Sequence, residues 1–221
     1  MGFLEDTVET LPVLLNGTVI AVELFAIVLV LSLPLGLPIA FGENSKIGII
    51  RWLCRAYVFV FRGTPLLLQL FFFYYFFLIA LHVQMSAFLT VVLTFTLNYA
   101  AYFAEIYRGG INSIGVGQYE ASRSLGLSKW LTTVDIVIPQ MMKVVLPPVS
   151  NEIITLIKDT SLASVLALGE LMKVSQGIVN RTGNLGVYLI AAIIYLIFTF
   201  VTTLVLNYVE KRYSRFDREE E

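Results

Sequence analysis

Polar and charged side chains recur within a largely apolar stretch of this sequence, just after the pair Pro147 and Pro148. Glu152, Thr155 and Asp159 are spaced by three and four residues, so on a helix they project along one stripe. Charges in surroundings of low dielectric constant cost several kcal/mol unless they are paired or hydrated. The stripe is therefore either a set of structural pairs or part of a path for a polar solute.

Further polar side chains could complete such a path. Lys158 lies in the same helical turn as Asp159. An earlier apolar segment that could face the stripe carries Asn98, Tyr99 and Tyr102. Two interpretations remain open, a saturable site for a polar ligand and a hydrated translocation wall that binds nothing. The candidate pathway residues are Asn98, Tyr99, Tyr102, Glu152, Thr155, Lys158 and Asp159.

The sequence offers little for catalysis or for metal binding. Cys54 is the single cysteine and His82 the single histidine, so neither a disulfide within the chain nor a cluster of metal ligands is expected. An enzyme inside a membrane would need a nucleophile with a base, and His82 has no obvious partner. No glycine-rich loop ends in Gly-Lys-Ser/Thr, and the net charge is −1, so this chain is expected to bind neither nucleotide nor nucleic acid.

The composition places the candidate residues in a membrane. Of the 221 residues, 57% are hydrophobic and 14% are charged, and the mean hydropathy is +0.81, whereas a soluble domain carries roughly 25% charged residues. A helix needs about 20 apolar residues to cross the hydrocarbon layer. Five runs approach or exceed this length, at 19–40, 57–81, 87–104, 137–157 and 187–209. We predict an all-α polytopic membrane protein with about five transmembrane helices.

The domain organisation follows from the same runs. No Pro/Ser-rich linker divides the chain, so we expect one transmembrane domain over residues 1–221 with its core at about 16–212. The run at 137–157 carries Lys143, Glu152 and two prolines, which predicts a bent helix that faces protein or water. The stretch 161–172 is rich in small residues but too short to span, which predicts an interfacial or re-entrant helix at the outer end of the path.

The distribution of basic residues predicts the orientation of the chain. The stretch before Asn16 has acidic residues and no basic one. Basic residues instead follow the first, third and fifth runs: Lys46, Arg51 and Arg55; Arg108, Arg123, Lys129 and Lys143; and Lys211, Arg212, Arg215 and Arg218. We therefore expect an outer N-terminus, a cytoplasmic C-terminus and outer positions for 82–86 and 161–186, although the latter contains Lys173 and Arg181. No cleavable signal peptide is expected.

The polar region 111–136 is too long for a simple turn and should be structured. Residues 118–124 are good helix formers, and Gly126 provides a break where the chain can turn with positive φ. Ser128 can cap a second helix that starts at Lys129. We predict two short helices that meet at Gly126.

The same region carries a family resemblance. Glu120-Ala121-Ser122, then Gly126, then the Ile-Val-Ile-Pro sequence at 136–139 resemble the EAA loop of permease subunits in ABC importers. Ser122 stands where the family prefers a second alanine. The resemblance implies a coupling helix, within a loop at about 111–138, that sits in a groove of an ATP-binding subunit. The implied coupling residues are Tyr119, Glu120, Ala121, Ser122, Gly126 and Leu127.

Three further segments resemble the polar amino-acid branch of these importers, which includes histidine, glutamine, arginine, glutamate and cystine permeases. They are the Arg-Gly-Thr-Pro sequence at 62–65, residues 104–111, and residues 151–152 together with 158–162. The resemblance implies a bacterial cell (inner) membrane and two ATP-binding subunits, which bind ATP-Mg. It also implies an extracytoplasmic substrate-binding protein and a second permease subunit, identical or homologous.

Under this resemblance the solute is an amino acid, which presents an ammonium and a carboxylate. Glu152 or Asp159 could hold the ammonium, and Lys158, Asn98 or backbone amides freed near the proline bend could hold the carboxylate. Two other charges are better explained as structural. Glu105 and Arg108 can pair at i and i+3, and Arg62 could satisfy carbonyls freed at the Gly-Pro break or extend to the cytoplasmic interface. For Glu105 and Arg108, substrate contact is the less favoured alternative.

The function expected from these features is translocation of a polar amino acid by alternating access, driven by ATP hydrolysis on separate partner subunits. The chain itself is not expected to be an enzyme. The alternative is a secondary transporter or channel that works without an ATPase, which would favour inverted repeats and an intramembrane site for a coupling ion. We see no repeat in the sequence.

Overall fold

A computed structural model describes residues 3–214, and the side chains of residues 9–213. These residues form helices and no strand, so the predicted all-α class is confirmed. Arg215 and Arg218, which support the predicted orientation, lie outside the described residues. The helices are α1 Phe3–Glu43, α2 Gly48–Gly63, α3 Leu66–Tyr75, α4 Ala87–Ser113, α5 Val116–Ser124, α6 Lys129–Leu131, α7 Ile138–Asp159, α8 Leu171–Thr182 and α9 Gly186–Ser214.

The long helices account for up to five membrane spans. By length and composition, α1, α4 and α9 can each cross a membrane. Two further spans result if each of two bent pairs counts as one, and these pairs are α2 with α3 and the segment Lys129–Leu166 with α8. The predicted number of about five spans therefore holds. The first helix is longer than the predicted run 19–40, because the described helix already begins at Phe3.

The run 57–81 is not one continuous helix, which corrects the prediction. The axes of α2 and α3 are bent by 108° at the Thr64–Pro65 step. Pro65 has no N–H to continue the helix, and a proline disfavours helical geometry in the residue before it. Thr64 accordingly adopts an extended conformation, with φ −119° and ψ 148°. The break exposes backbone carbonyls in the middle of the chain's apolar region, and these need partners.

The two adjacent prolines in α7 do not end the helix, unlike Pro65 between α2 and α3. The helix continues through Pro147 and Pro148 up to Asp159, and a 3₁₀ helix follows at Thr160–Leu166. The 53° break that the structure records lies after Leu166, where Ala167 turns with a φ of 59°. The segment 161–172 is therefore a 3₁₀ helix, a turn and the start of α8, and not the single short helix that the sequence predicts.

The main core is built where α1, α4 and α7 pack together. Its largest buried side chains include Phe95, Tyr99 and Phe103 of α4 and Leu156 of α7. Gly36 lets α1 approach α4 closely, because a Cβ at this position would lie 2.9 Å from Phe103 Cβ. The core thus holds one face of α4 and one face of α7 in fixed register, and these are the helices that carry the candidate pathway residues.

A second apolar cluster joins α1, α8 and α9. Glu170 is fully buried at its edge and caps α8, because its carboxylate accepts hydrogen bonds from the backbone N–H groups of Met172 and Lys173 at 2.8 and 2.7 Å. The Tyr195 hydroxyl of α9 donates to the same carboxylate at 3.0 Å. This buried acid therefore has a structural role in fastening α8 to α9.

The loop at 111–136 confirms the prediction of two helices that meet at Gly126. Helix α5 ends at Ser124, and Gly126 has a φ of +73°, which a residue with a side chain rarely adopts. The Ser128 hydroxyl accepts a hydrogen bond from the backbone N–H of Leu131, as expected of a cap. The α-helical part of the second helix is a single turn, which continues through a π-helical segment at Thr132–Val137 into α7.

Candidate functional site

A cavity of about 490 Å³ lies where the α2–α3 break meets α4 and α7. Its wall includes six of the seven candidate pathway residues, and the seventh, Lys158, is exposed and does not line it. The lining residues are Arg62, Gly63, Thr64, Pro65, Leu66, Asn98, Tyr99, Tyr102, Glu152, Thr155 and Asp159. The helical stripe on α7 and the polar face of α4 therefore face one another, as their spacing predicts.

Tyr99 fixes the position of one cavity carboxylate. Its ring is 2% exposed within the core, and its hydroxyl donates a hydrogen bond of 2.8 Å to Asp159 Oδ2. Because the ring is packed against Phe103 and cannot move freely, the hydroxyl holds the carboxylate at the end of α7 against the middle of α4. Asp159 is thus a positioned acceptor in the cavity.

Two side-chain amides satisfy the carbonyls that the α2–α3 break frees. Gln69 Nε2 donates to the carbonyl oxygens of Phe61 and Thr64 at 2.8 and 3.1 Å. Asn98 Nδ2 donates to the Phe61 carbonyl and to Gln69 Oε1, both at 3.0 Å. Arg62 does not take this role, which corrects one of the two structural roles considered for it. Gln69 is not among the residues predicted from the sequence, although an amide in an apolar run four residues after a proline is a usable signal.

Arg62 instead contributes positive charge beside the cavity. Its Nη1 atom lies 3.7 Å from Glu105 Oε2, and its guanidinium carbon lies 5.3 Å from the centre of the Tyr102 ring. The cavity therefore has a guanidinium at the end of α2 and two carboxylates, Glu152 and Asp159, on α7. This distribution of charge complements an ammonium and a carboxylate joined in one small molecule.

A charged cluster borders the cavity. Glu105 and Arg108 form the predicted i, i+3 ion pair, with Arg108 Nε donating to Glu105 Oε2 at 3.1 Å. Arg62 contacts Glu105 from α2, and Arg108 Nε lies 3.9 Å from Glu43 Oε1 of α1. Glu43, which is 3% exposed at the end of a long apolar run, is not among the residues predicted from the sequence. The cluster joins the ends of α1 and α2 to the last turns of α4.

The loop at 111–138 exposes half of the six residues that the resemblance implies for coupling. Ser122 is 1% exposed, and its hydroxyl donates to the Gln118 carbonyl, so this side chain supports α5 from within. Tyr119 is partly buried, which raises the pKa of its hydroxyl. Among the proposed coupling residues, Glu120, Ala121 and Gly126 are exposed, while Leu127 is half-buried.

Large apolar side chains on the same loop are exposed instead. Val116, Leu125 and Trp130 are 70%, 77% and 74% exposed, whereas the next most exposed large apolar side chain of the loop, Leu131, is 43% exposed. Singly exposed apolar residues need no explanation, but three within fifteen residues form a candidate contact surface. These three residues could not be predicted from the sequence, because their exposure depends on which way each short helix faces.

The described part of the chain offers no metal site, since no three His, Cys, Asp or Glu side chains come together there in a way that could hold an ion. Cys54 packs against the end of α1, where a Cβ at Gly42 would lie 2.3 Å from its Sγ atom. His82 lies in the turn before α4, with a φ of 52°. The geometry is that of a binding or passage site made of fixed polar groups.

The sequence matches a known family over most of its length. The family model described as binding-protein-dependent transport system inner membrane component matches residues 32–215. L-cystine transport system permease protein TcyB of Bacillus subtilis (strain 168) is 38% identical over 93% of this chain and 88% of the relative. Arginine transport system permease protein ArtQ of the same organism is 33% identical over 96% of this chain and 97% of the relative. A putative glutamine transport system permease protein GlnP of Rickettsia typhi (strain ATCC VR-144 / Wilmington) is 34% identical over 90% of this chain and 92% of the relative.

Chains from two solved structures of ABC transporters are also similar to this chain. A chain from a crystal structure of an amino acid ABC transporter with histidines has a TM-score of 0.87 and 32% identity, and the match covers 96% of this chain and 99% of that one. A chain of the MetNI methionine ABC transporter in an inward-facing conformation has a TM-score of 0.76 over 93% of this chain and 98% of that one, and at 16% identity it shows the fold alone. The chain therefore belongs to the binding-protein-dependent transport system inner membrane component family, and it is a permease component of an ABC transporter.

Proposed function

We propose that this permease moves a polar amino acid by alternating access, and that ATP hydrolysis on partner subunits drives the movement. The amino acid passes through the cavity between the α2–α3 break, α4 and α7, which is called the central cavity. The observation that carries the proposal is the charge distribution of the cavity, with Arg62 on α2 and the carboxylates of Glu152 and Asp159 on α7. The relatives named for cystine, arginine and glutamine transport support an amino acid as the substrate.

The roles of the cavity residues follow from their partners. Glu152 and Asp159 bind the ammonium group of the substrate, and Tyr99 holds Asp159 in place through its 2.8 Å hydrogen bond. Arg62 binds the carboxylate, and its position on the cavity wall favours it over the exposed Lys158 for this role. The amide of Asn98 acts indirectly, because both of its recorded hydrogen bonds hold the α2–α3 break in shape.

The coupling loop is the proposed contact with the ATP-binding subunit. Glu120, Ala121 and Gly126 are exposed at the surface of the loop, together with Val116, Leu125 and Trp130. A groove on a partner would cover these apolar side chains and remove them from water. Ser122, Tyr119 and Leu127 support the loop from behind and keep the exposed residues in register.

The proposed assembly contains two permease subunits, two ATP-binding subunits that bind ATP-Mg, and an extracytoplasmic substrate-binding protein. A second permease, identical or homologous, would close the open side of the central cavity across a two-fold axis. The proposed orientation places the coupling loop and the C-terminus in the cytoplasm and the N-terminus outside, following the distribution of basic residues.

Uptake by the reconstituted complex tests the proposal. The complete transporter, with its ATPase and binding protein, is reconstituted in vesicles and supplied with radiolabelled L-cystine, L-glutamine or L-arginine. We expect ATP-dependent accumulation of at least one of them, and a half-saturating concentration that rises about tenfold in Glu152→Gln, equivalent to one charge-assisted contact of about 1.4 kcal/mol. The matched control is Lys158→Gln, which should behave as the parent. Unchanged transport in Glu152→Gln and Asp159→Asn would reject the site, and uptake by the permease alone on an ion gradient would reject the ATP-driven mechanism.

A further inference from the structure

Three arginines share one face of α2. Arg51, Arg55 and Arg62 are separated by four and seven residues, which is the spacing that places side chains on the same side of a helix. Arg51 and Arg55 are exposed, and 40% of the Arg62 side chain is exposed. Along the helix axis these steps correspond to about 6 and 10 Å. The three guanidinium groups therefore form a row along α2, which begins near the end of α1 and ends at the central cavity.

The surface along this row is concave over its whole length. A groove of about 470 Å³ includes Arg51, Arg55 and Phe59 in its wall, and a second of about 390 Å³ includes Arg55, Phe59 and Arg62. The second groove and the central cavity share Arg62, Gly63 and Tyr102. Neighbouring depressions share wall residues, and this series of depressions, the α2 groove, follows the helix from the central cavity to its start.

Acidic residues line the same groove opposite the arginines. Glu43 and Glu105 are part of the wall of its middle section. The groove therefore continues the charge pattern of the cavity, with guanidinium groups on the α2 side and carboxylates on the side of α1 and α4. A zwitterion in the middle section would meet both a positive and a negative partner, which limits the cost of removing its charges from water, and the section beside Arg51 offers arginines alone.

We propose that this groove is the route by which the amino acid leaves the central cavity toward the start of α2, and that its carboxylate passes from Arg62 to Arg55 and then to Arg51. The inference rests on the proposed function, since it assumes an amino acid in the cavity. The first step requires Arg62 to exchange Glu105 for the substrate carboxylate. Its contact with Glu105 is a long 3.7 Å and half-exposed, so the arginine can change partners at low cost.

An anionic lipid headgroup is the other ligand that a row of arginines could bind. Trp52 is 67% exposed beside Arg51 and Arg55, and such a residue suits a membrane interface. The acidic side chains of the middle section favour the substrate route, because Glu43 and Glu105 would repel a phosphate but can hold an ammonium group. The wall residues that the middle section shares with the central cavity, among them Arg62 and Tyr102, favour it as well.

Transport by an Arg55→Gln variant of the complete reconstituted complex tests the route. Arg55 lies outside the central cavity, so the half-saturating concentrations for radiolabelled L-cystine, L-glutamine and L-arginine should stay at the parent value. The maximal rate of ATP-driven uptake should fall about fivefold, since the carboxylate must cross the middle section without a partner. Arg55→Lys should restore most of the rate. Lys46→Gln is the matched control, because Lys46 is an exposed basic residue next to α2 that does not line the groove.

Restoring a positive charge at position 55 by chemical modification distinguishes a role of Arg55 in the route from a role in packing. In a Cys54→Ala background, Arg55→Cys is treated with a thiosulfonate that attaches an ethylammonium group, or with one that attaches an ethylsulfonate group. Restored uptake with the cationic reagent only would support the route, and equal effects of the two reagents would overturn it.

Vesicle composition separates the route from a lipid site. In vesicles made of zwitterionic phosphatidylcholine alone, the defect of Arg55→Gln should persist. If parent and Arg55→Gln become equal there while the parent is faster in vesicles with phosphatidylglycerol, the arginines bind lipid and the route is wrong. A parent complex that shows no ATP-driven uptake would reject the proposed function. Parent uptake matched by Arg55→Gln would reject the route alone.

Discussion

Helices α4 and α9 are both long enough to cross a membrane, yet they meet very different surroundings. In their most apolar windows of 18 residues, 61% of α4 is buried inside the chain but only 6% of α9 is. The buried helix is the less apolar of the two and carries Asn98, Tyr99, Tyr102 and Glu105. The helix with the weaker membrane signal is thus the one that lines the cavity, because its polar groups need protein partners, whereas α9 can face lipid or a second subunit.

The largest difference between α4 and α9 should appear in the free energy of unfolding when one large aromatic ring is removed from each helix. Phe95 of α4 is fully buried, whereas Phe200 of α9 is 63% exposed. Phe95→Ala should lower the free energy of unfolding by about 3 kcal/mol, because it leaves a cavity in the core. Phe200→Ala should change it by less than about 0.5 kcal/mol. Thermal unfolding in detergent measures both, and equal losses would mean that α9 is packed as tightly as α4.

The close approach of α4 to α1 provides a second test. A Cβ at Gly36 would lie 3.1 Å from the Ala104 backbone nitrogen, while one at Gly109 of α4 would meet nothing within 4 Å. Gly36→Val should therefore lower the unfolding free energy by about 2 kcal/mol through overpacking. Gly109→Val serves as the control and should cost much less. If the two variants melt at the same temperature, the packing of α1 on α4 is not as close as the structure has it.

In the loop that follows α4, the coupling of uptake to ATP hydrolysis should depend strongly on Gly126 and little on Gly117. Gly126 has a φ of +73°, while a Cβ at Gly117 would meet open space at an ordinary backbone conformation. Gly126→Val should leave membrane insertion intact but lower the amount of substrate moved per ATP hydrolysed by about tenfold, because the strained turn shifts the docking surface. Gly117→Val should retain far more coupling. Paired uptake and ATPase measurements decide, and normal coupling in Gly126→Val would count against the docking role.

The smallest expected effect concerns one hydroxyl on each helix. Tyr99 of α4 donates to Asp159, whereas Tyr208 of α9 is 67% exposed. Tyr99→Phe should raise the half-saturating substrate concentration about fivefold, because Asp159 loses the group that positions it. Tyr208→Phe should leave this concentration unchanged. Should both variants match the parent, Asp159 is positioned by other contacts.

Much of the fold could be predicted from the sequence because membrane spans depend on apolar length. Four of the five runs, the two short helices around Gly126 and the Glu105–Arg108 pair follow from local spacing, whereas the run 57–81 is broken at Pro65. Likewise, the stripe of α7 predicted which polar residues line the cavity, since three- and four-residue spacing fixes one helical face.

Features that depend on contacts between distant helices could not be predicted in this way. The 108° bend of α2 against α3 is held by Gln69 and by Asn98, which lies 29 residues further along the chain. The absence of Lys158 from the cavity wall also depends on how α7 is rotated when it packs on α4, which its sequence spacing does not determine. The contact of Glu43 with Arg108 likewise needs α1 and α4 to be packed first.

The uninterrupted course of α4 has one more consequence. The helix runs without a break from Ala87 to Ser113, about 40 Å at 1.5 Å per residue, and only two residues separate it from α5. A continuous helix of this kind does not shorten when one of its ends is pushed along the helix axis. If the C-terminal end of α4 at Ser113 is displaced, Tyr99, some 20 Å away, is therefore displaced by a similar distance.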